Sequence, residues 1–181
     1  APAPPVPKTV PAPSKFDHSP LAAELRILEQ DYLRRGSTVE YLQRHAGDRS
    51  AAWKDAAKSG DAIGEYLYAR LIQTGTGVQS DQEIAFRWMK QAAEQGLLIA
   101  QTNMGVSYLN GDGVSADEVQ AVAWFQGAAD ANYPAALVAL GECYHFAQGV
   151  SRDEEEAASL YRRAADLGAA RGMYRLAGCL Q

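Results

Sequence analysis

From residue 61 onward the apolar and small positions of the chain recur every 36 residues. One set lies on segments that predict first helices over about 61–74, 98–110 and 134–146. There, small residues fall at Gly64, Ala100 and Ala136, and bulky ones follow at Tyr68, Met104 and Leu140. A second small position holds Ala69, Gly105 and Gly141, and a second bulky one Ile72, Tyr108 and Tyr144. Apolar residues spaced three and four apart in this way define one face of a helix. The second set predicts helices over about 81–95, 117–131 and 153–167. It carries Ala85, Ala121 and Ala157, then Trp88, Trp124 and Leu160, then the pairs Ala92-Ala93, Ala128-Ala129 and Ala164-Ala165. Gly77-Val78, Gly113-Val114 and Gly149-Val150 connect the two sets, and Asp81, Asp117 and Asp153 stand where the second helices begin. A period of this size means helix pairs that bury their apolar faces only by stacking on one another.

Upstream the pattern is less regular. Ser19-Pro20 reads as a cap followed by Pro at the first helical position, and Leu21, Leu25, Leu28 and Tyr32 then keep helical spacing until Gly36. Ser37 with Glu40 forms a capping box, which predicts a second short helix to about His45. Asp48 caps a predicted third, ending at Gly60. Ala56-Ala57 and Gly60 precede Ala92-Ala93 and Gly96 by one period, so this third helix reads as the second helix of a degenerate leading unit. The expected organisation is a Pro-rich extended arm or linker over 1–20, N-terminal helices over 21–60, and three helix pairs plus a half unit over 61–181. That half unit runs from Arg171 to Gln181.

Composition narrows the class. The chain has 181 residues, 47% of them hydrophobic, and a net charge of -5, which argues against a nucleic-acid footprint of clustered Lys and Arg. No apolar run reaches the 18 or so residues a membrane helix needs. Seven of the eight prolines lie in the first 20 residues, a composition suited to an extended arm with no core of its own. The Ala1-Pro2 start, without Met, leads us to expect removal of a signal peptide or an upstream domain, and leans toward export or the periplasm. Cys143 and Cys179 lie one period apart and are expected to be two buried free thiols on stacked helices, which leans toward a reducing compartment.

The pattern resembles the Sel-one-like repeat family, a branch of the tetratricopeptide-type helical solenoids. The motifs that carry this are LYARLIQTGTGVQSDQEIAFRWMKQAAEQG, MGVSYLNGDGVSADEVQAVAWFQGAADAN and LGECYHFAQGVSRDEEEAASLYRRAADLG. The resemblance covers roughly 50–181 and departs from the family at Ala147, Leu160 and Asn132. It implies an all-α, right-handed superhelix that serves as an adaptor in multiprotein complexes, with no catalytic residues to carry over and no cofactor. Its partners would be proteins, in a larger assembly, with neither nucleic acid nor membrane insertion. In such a solenoid the first helices line the concave face. By helical phase the residues that point into it are Tyr66, Arg70, Gln73, Thr102, Val106, Asn110, Val138, Glu142, His145, Phe146 and Tyr174. Aromatic and Arg side chains are the types that dominate interface energies when buried.

Other chemistry is weakly represented. TGTGV at 74–78 and NGDGV at 110–114 lack the Lys-Ser/Thr of a phosphate loop, and their recurrence marks them as turns between helices. Asp112 and Asp117 lack the spacing of a calcium loop. Asp81, Asp117 and Asp153 suit helix capping better than acid–base work, and Asp153 to Glu156 suits a solvated helix start. The three histidines, at 18, 45 and 145, do not compose a zinc site. Two further readings stay open: a regulatory domain cut from a larger signalling or polarity protein, and a small-ligand or hydrolytic member of the family. Some cysteine-rich relatives have been associated with β-lactam hydrolysis, but the regular cysteine pairs of those relatives are missing here.

Overall fold

The computed structural model describes residues 15–35 and 38–179, with 31–35 described as backbone alone. Among these residues every regular element is helical. They are α1 (Ala22–Arg35), α2 (Val39–Lys58), α3 (Ala62–Thr74), α4 (Gln82–Glu94), α5 (Leu98–Asn110), α6 (Glu118–Asp130), α7 (Pro134–Phe146), α8 (Glu154–Asp166) and α9 (Ala170–Cys179). Each helix from α2 to α9 packs on the next in sequence, which is the architecture of an all-α solenoid of helix pairs.

The local reasons are visible in the side chains. Asp61, Asp81, Asp117 and Asp153 each cap a helix, accepting a hydrogen bond from the backbone N–H of Gly64, Ile84, Gln120 and Glu156 at 2.8 to 3.0 Å. Each satisfies one of the donors that a helix start leaves over. Pro134 opens α7, where the absent N–H is harmless. The turns after first helices close in the left-handed conformation at Gly75, Gly111 and Ala147.

Between paired helices, large residues on the second are seated against small ones on the first. Met89, Phe125 and Tyr161 share one register and are all buried. A β-carbon on Gly105 would meet the Phe125 ring at 2.4 Å, and one on Gly141 the Tyr161 ring at 2.6 Å. Gly64 and Gly172 bring the starts of α3 and α9 equally close to the preceding second helix, at Ala56 and Ala164.

Two expectations are corrected here. The short helix to His45 and the separate one from Asp48 are a single helix, α2, that runs through Gly47. Leu42, Ala46, Trp53 and Ala57 lie on one buried face spanning the supposed break. That burial outweighs the roughly 1 kcal/mol a mid-helix glycine costs. Thr38 is the N-cap of α2, without a side-chain capping bond, and Ser37 of the expected capping box lies outside the described residues. The second correction concerns the thiols: Cys143 is buried but Cys179 is exposed. Among the described residues no later helix packs over α9, so the equivalent register is open there.

The Pro-rich arm lies outside the described residues up to position 14. From Lys15 the chain is held in place, the Lys15 ammonium donating to the Gln95 carbonyl at the end of α4.

Candidate partner-binding face

First helices also touch each other directly, α5 with α7 and α7 with α9, whereas consecutive second helices do not pack to that extent. We call this first-helix side of the stack the inner face. Side chains that face neither their own second helix nor the stack fall on this side.

The structure divides the eleven expected groove residues by register. Tyr66, Thr102 and Val138, equivalent in consecutive units, are 1%, 3% and 4% exposed. Tyr174, next in that series, is 77% exposed. Arg70, Gln73, Glu142 and His145 are half-buried, while Val106, Asn110 and Phe146 are exposed. One turn ahead of the buried trio, Ile63, Ile99 and Ala135 are buried as well. Sequence reasoning missed this second stripe, although its 36-residue recurrence was there to be read.

Part of the inner face is covered by α1. It makes contact with α7 and α9, from the opposite end of the sequence, instead of extending the stack. Leu21, Leu25 and Leu28 of this segment are buried as part of the apolar core cluster. Glu24 is buried too. Its carboxylate accepts from the Trp53 indole N–H at 2.6 Å and from Arg49. A buried carboxylate survives only with such charge-assisted partners. Beside the end of α3, Arg70 donates to Gln73 at 2.5 Å, reaches Thr38 Oγ1 at 3.5 Å, and leaves its Nε buried without a partner.

At the α7–α9 end the face is open and charged. Glu142 accepts from Arg171 at 2.8 and 2.9 Å and from Arg175 Nε at 2.8 Å. The Arg175 guanidinium stands 5.9 Å from the Phe146 ring centroid, a cation–π contact. His145 Nδ1 lies 2.8 Å from Glu154, which also accepts from Arg152 Nε at 2.7 Å. Those two hydrogen bonds, from His145 first and Arg152 second, hold the Glu154 carboxyl below its ordinary range. His145, Tyr174 and Arg175 line a cavity of about 320 Å³ that Tyr161 reaches from α8. The Tyr161 hydroxyl is buried without a hydrogen-bond partner, and burial, then Glu142, pushes its phenol far up.

Reactive chemistry does not assemble around these groups. The Cys143 thiol is pushed up to about 11 by burial, then by Glu142 and Glu118, so at neutral pH it is protonated and a poor nucleophile. His145 pairs with Glu154 and not with Cys143. Among the described residues no cluster of three His, Cys, Asp or Glu could hold a metal ion. None of the described helices is long and apolar enough to cross a membrane.

The family model of the Sel1 repeat matches residues 62–97, 98–133 and 134–168, more than half of the chain, in the register of α3–α4, α5–α6 and α7–α8. The chain belongs to the Sel1 repeat family. A Sel1 repeat protein from Oxalobacter formigenes is 34% identical, with a TM-score of 0.63 over 72% of this chain and 98% of that one. The protective antigen c5321 of uropathogenic Escherichia coli, which displays an SLR fold, is 29% identical with a TM-score of 0.68. That match covers 86% of this chain and 34% of the antigen. Helicobacter pylori cysteine rich protein B shares the fold at 19% identity and a TM-score of 0.57, over 74% and 96% of the two chains. Among curated proteins none matches. Sel1 repeats commonly mediate protein–protein interaction.

Proposed function

We propose that this Sel1 repeat chain is a non-catalytic scaffold, an accessory subunit that binds a partner protein through its inner face and the Pro-rich arm over residues 1–20. The observation that carries the reading is the exposure of large apolar side chains on the inner registers of successive first helices. Val106, Phe146 and Tyr174 are 38%, 54% and 77% exposed, the last two beside the Arg175 guanidinium. Aromatic rings flanked by Arg are what a partner buries for most of its binding energy. The arm adds a second, weak contact, and two linked contacts raise avidity through effective concentration.

The test compares two baits in native extract, the wild-type chain and the double variant Phe146→Ala, Tyr174→Ala. We expect a stoichiometric partner with the first and about tenfold less of it with the second, since each anchor contributes about 1 kcal/mol or more. Equal recovery by a folded double variant overturns the inner-face assignment.

A further inference from the structure

We propose that the inner face is a socket for an amphipathic helix of the partner, and that α1 is the chain's own stand-in for it, which leaves when that helix enters. The inference rests on the partner-binding reading and specifies the partner's chemistry.

The argument starts from what α1 does in the fold. It does not continue the helix-pair stack, yet it reaches α7 and α9. An amphipathic helix lying across a groove of other helices is a recurring recognition mode, read through anchors at spacings of three and four. Here Leu21, Leu25 and Leu28 supply those anchors, and all three are buried. Glu24 supplies the polar key. Its carboxylate is fixed by the Trp53 indole and the Arg49 guanidinium, two donors that belong to the stack and not to α1. Without α1 the socket would uncover the faces of α7 and α9 that α1 packs on, together with those donors. Leu21, Leu25 and Leu28 belong to the apolar core cluster, so the surface they would leave is apolar, the kind that marks a docking surface.

The occupant that fits is a helix bearing leucines at i, i+4 and i+7 and a glutamate at i+3. It occupies the volume of α1, so the two compete. Tethering gives α1 the advantage of effective concentration, and the partner's apparent affinity is reduced by the fraction of time the socket is closed.

The probe is a synthetic, fluorescein-labelled peptide of residues 15–35, offered to the full-length chain. The receptors are wild type and a variant with Leu25→Asp and Leu28→Asp, which weakens α1 in place. The variant should bind the peptide at least about tenfold tighter than wild type, because its socket stands open more often. Glu24→Gln in the peptide should weaken that binding. Equal affinity of the two receptors, with helicity by circular dichroism intact, overturns the proposal. A second measurement guards against a variant that does not fold. Hydrogen exchange of the wild-type chain should show α1 amides opening well before those of α3, α5 and α7. Opening of α1 only with global unfolding overturns the proposal, as does a wild-type dimer formed by exchange of α1. If the peptide fails while Phe146→Ala, Tyr174→Ala still lowers partner capture about tenfold, the inner-face reading survives and only the helix socket falls.

Discussion

The Phe125 ring rests on the bare backbone of Gly105, with its Cε1 2.4 Å from where a β-carbon would be. One repeat later Tyr161 stands in the same relation to Gly141, at 2.6 Å. In the first repeat Met89, thinner and more flexible, and Ala69 hold the equivalent positions, both buried. Glycine plus ring in two repeats is thus exchanged for alanine plus thioether in the first, a pairing of the same small-against-large kind.

Gly105→Ala should therefore be destabilising despite the general preference of helices for alanine. Overpacking of this kind costs about 1–3 kcal/mol. Urea unfolding of the variant checks it, and a variant as stable as wild type would show that the helix pair spreads freely.

Two loop glycines of the same backbone shape separate conformation from space. Gly77 and Gly113 both have φ of +73°, but a β-carbon on Gly77 meets nothing within 4 Å whereas one on Gly113 meets the Gln82 carbonyl oxygen at 2.0 Å. Alanine at 77 should cost about 1 kcal/mol, the conformational penalty alone. Alanine at 113 should cost more, because the turn must pull away from the start of α4. The difference between the two midpoints in thermal unfolding is the quantity to measure.

Ala147 already carries such a penalty. It closes α7 at φ 58° and ψ 40°, the place that Gly75 and Gly111 hold in the preceding units. Ala147→Gly should stabilise the chain by up to about 1 kcal/mol, the left-handed strain relieved less the added flexibility of the unfolded chain. Guanidinium unfolding would register it as a higher midpoint with an unchanged slope.

Glu65 makes stability depend on pH. It is buried in α3, and that desolvation raises its pKa from about 4.5, with Asp61 adding to the rise and the Gln95 amide hydrogen bond opposing it. A raised carboxyl favours the folded state while protonated, so its contribution is present below about 4.5 and is lost as pH climbs through the folded value. Glu65→Gln, which keeps an acceptor for the Gln95 amide, should be more stable than wild type at pH 7. The gain should shrink toward zero at acid pH, which a series of thermal melts from pH 3 to pH 8 would follow.

The thiols offer a quick structural check. In the native chain a maleimide should label Cys179, which is exposed, and spare Cys143, which is buried with its thiol pushed up to about 11. Denaturant should release the second equivalent. Two equivalents labelled in native conditions would contradict the packing of α7 on α8.

The repeat could be read from the sequence because neighbour packing is periodic. Asp81, Asp117 and Asp153 cap where the spacing put them, and Gly64, Gly105 and Gly141 take the close contacts that small residues imply. Period alone was a poor guide wherever an environment is not repeated. Cys179 shares the register of Cys143 but not its cover. Gly47-Asp48 has the composition of a break, yet the buried face of α2 passes through it. Leu21, Leu25 and Leu28 announce an amphipathic helix, but nothing in their spacing says that it reaches α7 and α9. That placement rests on contacts between distant segments, and those leave no local signature.

The path of α1 also alters how such an array comes apart. A string of stacked units joined only to their neighbours has low contact order; it can fray from either end, and each unit adds its stability separately. Here one helix fastens the first part of the chain to α7 and α9. Closing so long a loop has an entropic cost that grows only slowly with its length. The fastening exchanges a zipper for a clasp, in which loss of the terminal unit loosens the leading one, so melting approaches a single transition.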